Sequence, residues 1–105
     1  MPAGTRHVQP PLQLATEVIR GCLFAYLDAE LPYALAQRNL GWTELPNGDL
    51  RIDQELVAPP KRSAKAIVQK RLAGIGKAAR PQLARALGRR VHLFLTVGTA
   101  ARGAR

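Results

Sequence analysis

The sequence predicts an α+β domain, with three strands in one sheet backed by three helices in the order α-β-β-α-α-β. Three observations carry that prediction. Apolar residues recur at helical spacing from Leu14 to Leu27. A strong turn signal, Pro46-Asn47-Gly48-Asp49, precedes a run of strict alternation. A second alternating run, Val91 to Val97, follows a long stretch of helical periodicity. At 105 residues, 47% hydrophobic and 22% charged, the chain has room for one small globular domain.

Taken in order, residues 1–13 read as a flexible arm, and residues 14–97 as the domain. The first helix buries a stripe of Leu14, Val18, Ile19, Cys22, Leu23, Tyr26 and Leu27. Leu31-Pro32-Tyr33 ends it, because proline disfavours helical geometry at the residue before it. Leu40 and Trp42 support a strand leading into the turn, where Asn47-Gly48 suits the positive φ of a tight hairpin. Beyond it, Leu50, Ile52, Gln54 and Leu56 alternate with Arg51, Asp53, Glu55 and Val57, and Pro59-Pro60 stops the strand.

A short helix is expected from Ser63 to Leu72, with Ile67 and Val68 inward. Gly74 and Gly76 mark a break, and a further helix carries Ile75, Ala78, Ala79, Leu83, Ala86 and Leu87. Pro81 either kinks this helix or starts a fresh one, and Gly88 caps its end. The core is expected to draw on Val18, Ile19, Leu23, Ile52, Ile67, Ile75, Leu83, Leu87, Val91, Leu93 and Leu95. Residues 98–105 read as a basic tail.

Several function classes lose support at this level. One cysteine cannot build a disulfide framework, and with two histidines it leaves too few ligands for a structural zinc site. The apolar run Val91 to Ala101 is too short to span a membrane, and Met1 to Gln13 does not read as a cleaved signal peptide. Asp28/Glu30 and Asp53/Glu55 lack the partners that general acid–base work needs. Cys22 lies on the apolar stripe as a buried thiol, and His7 and His92 each stand alone. Neither an enzyme nor a cofactor is expected.

Charge distribution is the strongest functional signal. Residues 1–55 hold four basic groups and all seven acids, a net of −3, whereas residues 56–105 hold twelve basic groups and no acid. Unrelieved positive charge over fifty residues is self-repelling unless a polyanion neutralises it, and phosphate backbone is the commonest such partner. A lipid surface fits less well, since the basic helices carry mainly alanine and leucine rather than bulky apolar residues. Arginine exceeds lysine twelve to four, which suits bidentate phosphate contacts. The candidate RNA-binding residues are Lys61, Arg62, Lys65, Lys70, Arg71, Lys77, Arg80, Arg89 and Arg90. Arg85, Arg89 and Arg90 trail the last helix and are set equally between RNA contact and helix-end stabilisation, and Arg102 and Arg105 depend on the tail. Trp42 and Tyr33 could stack on bases, although packing beside the hairpin accounts for them as well.

The helix leading into Glu30-Leu31-Pro32-Tyr33, the hairpin to Ile52, Ile67-Val68, Ile75-Gly76-Lys77-Ala78-Ala79-Arg80 and Leu87-Gly88-Arg89-Arg90-Val91-His92-Leu93 come in a distinctive order. Over roughly residues 14 to 97 that order resembles the C-terminal KH domain of the Era family of GTPases, the type II KH arrangement. Two departures stand out. No Gly-x-x-x-x-Gly-Lys-Ser/Thr loop is present to cradle a nucleotide. The GxxG loop with which KH domains clamp four nucleotides is replaced by Gln69-Lys70-Arg71-Leu72.

The resemblance implies a non-catalytic, KH-like RNA-binding protein whose partner is structured RNA, foremost rRNA of the small ribosomal subunit, beside neighbouring ribosomal proteins. Without a GTPase switch, the expectation is a permanent ribosomal component, and its arginine-rich, accessory character leans toward the mitochondrial matrix. The alternatives are a ribosome assembly factor, a fragment of an Era-like GTPase, and, from another class, a protein-docking module with a basic face.

Overall fold

A computed structural model describes residues 10–100 of the chain. The predicted tail beyond Ala100 and the arm up to residue 9 lie outside the described residues. Six elements follow in order: α1 (Pro11–Tyr26), α2 (Leu31–Ala34), β1 (Ala36–Glu44), β2 (Leu50–Ala58), α3 (Arg62–Leu87) and β3 (Val91–Thr99). The sheet runs β1-β2-β3, with β1 antiparallel and β3 parallel to the central β2. The crossover from β2 to β3 is α3, which the parallel pairing requires.

Helix α1 starts three residues earlier than its apolar stripe suggests. Pro11 occupies its first turn, where fixed φ is an advantage and a missing N–H costs nothing. The helix ends at Leu27, which turns to extended geometry. In the hairpin only Gly48 takes a positive φ, +94°. Asn47 contributes through its side chain, its Oδ1 accepting from the Asp49 N–H at 3.0 Å. One extra residue, Leu40, bulges out of β1 between Asn39 and Gly41 and is 53% exposed.

The α+β, KH-like architecture is the expected one, but the two helices expected after the hairpin are one. Gly74 and Gly76 break nothing: α3 runs unbroken through both for 26 residues. Neither glycine has a positive φ, which among the described glycines only Gly48 and Gly88 adopt. Pro81 also lies inside α3 rather than at the start of a new helix. Gly88 ends it as expected, left-handed at φ 71°, its N–H donating to the Ala84 carbonyl. At 1.5 Å per residue α3 is about 39 Å long, against about 30 Å for a nine-residue strand. The helix therefore overhangs the sheet it packs on.

One core assignment is corrected, because Ala64 and Val68 take the inward positions of that turn. Ile67, expected to point inward, is 46% exposed, while its neighbour Val68 is fully buried. The rest of the core forms between α1, α3 and one face of the sheet, with Ile19, Leu23, Ile52, Ile75, Leu83 and Val91 buried as expected. Val18, Leu87, Leu93 and Leu95 pack against it half-buried. Ala15, Leu27, Leu35 and Leu56 also belong to it. One polar side chain is inside: Gln54 accepts from Gln37 Nε2 at 3.3 Å and donates to Thr16 Oγ1 at 3.4 Å. It thereby ties α1 to both strands of the hairpin without leaving an amide unpaired.

Candidate nucleic-acid interface

The basic side chains come together on α3. Lys61 immediately precedes the helix and Arg62 opens it, while Lys65, Lys70, Arg71, Lys77 and Arg80 follow along its exposed arc. The reason lies in the sequence: α3 contains no acid, and its apolar residues, Ala64, Val68, Ile75, Ala79 and Leu83, use up the face that meets the core. Lys65, Lys70, Arg71, Lys77, Arg80 and Arg85 are left outward.

Asp28 and Glu30 line a pocket with Lys61 and Arg71 at the α1 side of this surface, and four of the other acids are held by other bases. Arg38 bonds Glu55 at 3.1 Å and Arg51 bonds Asp53 at 3.0 Å, both on the open face of the sheet. The Arg51 guanidinium also lies 4.4 Å from the centre of the Phe94 ring. Asp49 in the hairpin accepts from His92 Nε2 at 2.9 Å. That hydrogen bond, followed by one from Asn47 and the charge of Arg90, outweighs desolvation and holds the Asp49 carboxyl below its ordinary value. Among the described residues no ion pair joins a carboxylate to Lys61, Lys65, Lys70, Arg71, Lys77 or Arg80.

Arg89 and Arg90 do not join this group. They follow α3 at its far end, where Arg89 reaches Glu44 at 3.6 Å and the Arg90 charge acts on Asp49. Arg102 and Arg105 lie outside the described residues.

Sequence reasoning did not find the groove beside the helix. Leu72, Ala73 and Gly76 of α3 face Leu93 and Leu95 of the edge strand β3 across an open groove of about 680 Å³, with Lys77 and Arg80 on its wall. The signal that could have shown it is Gly76, where a Cβ would meet nothing closer than Leu95 at 3.8 Å. At Gln69-Lys70-Arg71-Leu72 the backbone is helical. Its N–H groups are spent on the preceding turn, so this segment can offer phosphate only its side chains. Tyr33, 71% exposed, meets Phe24 edge to face at 4.8 Å, and Arg20 sits over the same Phe24 ring. Trp42 packs half-buried on the core.

No family model matches the chain. Its sequence is 38% identical over 87 residues to the GTP-binding protein ERG of Arabidopsis thaliana, covering 80% of this chain and 20% of that protein. To GTPase Era of Mesorhizobium japonicum it is 37% identical over 91 residues, covering 84% of this chain and 29% of that one. Among solved structures it superposes on Aquifex aeolicus Era bound to GDP and AlF4⁻ with a TM-score of 0.79 at 28% identity, over 90% of this chain and 33% of that one. Era in complex with MgGDPNP and nucleotides 1506–1542 of 16S ribosomal RNA gives the same TM-score and identity. The chain thus spans a third or less of the length of these proteins. Identity, topology and superposition agree: over most of its length the chain matches the C-terminal KH region of the Era GTPases.

Proposed function

We propose that this chain is the RNA-binding part of an Era-type protein, attaching to small-subunit ribosomal RNA through the cations of α3 and carrying out no reaction itself. The observation that carries the reading is the row Lys65, Lys70, Arg71, Lys77 and Arg80 on an acid-free helix, none of them in an ion pair with a carboxylate among the described residues. Such a field is self-repelling until phosphate neutralises it. Support comes also from the relative crystallised with a segment of 16S ribosomal RNA. The relatives are GTPases, not ribosomal proteins, which favours a portion of an Era-like GTPase over the permanent ribosomal component expected from sequence. Guanine-nucleotide binding, which the relatives' names describe, would then reside outside these residues.

Two measurements test this. Fluorescence anisotropy with labelled RNA from the 3′ region of small-subunit rRNA should give binding that Lys70→Glu with Arg71→Glu weakens at least tenfold. Unchanged affinity would remove α3 from the interface. An antibody against the chain should detect a cellular product several times longer than 105 residues. A product of this length that co-sediments with finished small subunits would instead restore the ribosomal component. Retention in its complex after complete RNA digestion would favour a protein-docking module.

A further inference from the structure

The geometry points to double-helical RNA, not a single strand, as what α3 engages; this inference rests on the RNA-binding reading above. It starts from where the cations lie around the helix. At about 100° per residue, Arg71 and Arg80 stand on opposite flanks of α3, separated by about 13 Å along its axis. Their surroundings agree: Arg71 stands with Lys61 and Lys70 on the side facing the end of α1, where Asp28 and Glu30 also line the pocket and leave the cations in excess, whereas Arg80 lines the groove against β3. Lys70 and Lys77 are two turns apart, share one face and occupy the crest between those flanks. Both are exposed, as is Ala73 between them.

A single strand lying in the β3 groove would meet Lys77 and Arg80 but not Arg71 on the other side of the ridge. Cations on both flanks of a protruding helix match two phosphate rows, one on each side. Between Lys65 and Gly74 only Val68 is fully buried, so most of the circumference of α3 is open there. The small side chains along the ridge, among them Ala66 and Ala73, let it approach closely. A-form RNA offers two backbones across a wide, shallow minor groove, recognised by shape and phosphate rather than by base edges. The loss of the glycine turn fits the same occupant. A continuous helix has no free backbone N–H at Gln69–Leu72 to grip one strand, but it gains a straight cationic edge for two.

The test compares a labelled RNA hairpin, an unstructured single strand of the same length, and a DNA duplex of the hairpin's sequence. The chain is used as it stands, with three variants. Gly76→Leu fills the β3 groove; the site is open and leucine is the better helix former, so the fold is kept. Arg71→Glu alters the α1 flank, and Lys77→Glu with Arg80→Glu alters the groove side. The expected result is that the hairpin binds at least tenfold tighter than either other probe. Its affinity should fall at least fivefold on reversal of either flank and change less than twofold in Gly76→Leu. A single strand that binds tighter, is lost in Gly76→Leu and ignores Arg71→Glu overturns the inference while leaving RNA binding intact. DNA duplex bound as tightly as the hairpin overturns the assignment to A-form RNA. Failure to bind either RNA overturns the RNA-binding reading as well.

Discussion

Gly74 lies against the Cδ2–Cε2 edge of the Tyr26 ring so closely that a Cβ there would fall 3.1 Å from Tyr26 Cε2. This contact explains a glycine in the middle of α3 by packing of α1 on α3, with no turn involved. Gly76, two residues on, has room for a side chain. In urea unfolding, Gly76→Ala should therefore stabilise by about 0.5–1 kcal/mol, the entropic cost of glycine within a helix. Gly74→Ala should gain less, because the tyrosine ring must give way. The difference should vanish in a Tyr26→Ala background. Destabilisation by both alanines would mean that the helix is not continuous there.

How far the sequence could be read depended on whether the determining contact was local. The hairpin was legible because Pro46, Asn47 and Gly48 form their turn with each other. Cys22 was legible as a buried thiol from its place on the first stripe. Ile67 was not, because two adjacent apolar residues stand about 100° apart on a helix, and only the packed fold shows that Val68, with Ala64 a turn before it, takes the inward position. The break at Gly74 and Gly76 was misread for the same reason: two glycines signal flexibility locally, and only the ring of Tyr26, 48 positions away, shows why one of them is there. The segregated charge of the interface was visible as composition. That Arg89 would turn to Glu44, leaving the α3 cations unpaired, needed the fold.

The hairpin clasp gives a pH dependence. The Asp49 carboxyl is held below its ordinary 3.8, first by the hydrogen bond to His92. A carboxylate whose folded value is depressed contributes stability that is fully present above its unfolded value and is lost as pH falls through the folded one. Thermal unfolding should accordingly show the wild type losing more of its midpoint between pH 5 and pH 2.5 than Asp49→Asn does. Equal losses would mean that the clasp contributes nothing in solution.

Cys22 is 3% exposed, and burial pushes its thiol above the ordinary value despite the opposing hydrogen bond from Gln82. Such a thiol is protected from reagents that attack the thiolate. Reaction with an aromatic disulfide reagent at neutral pH should be at least a hundredfold slower in the native protein than in 6 M guanidinium chloride. Rapid native labelling would place Cys22 outside the core.

The salt dependence of RNA binding tests the role of α3 most directly. Each phosphate neutralised by a side chain contributes about 0.7 to 0.9 to the slope of log affinity against log salt. Lys70→Ala, Lys77→Ala and Arg80→Ala should each lower that slope by about this amount and weaken binding to every RNA tested. Slopes unchanged in all three variants would contradict the assignment of α3 as the phosphate-binding surface.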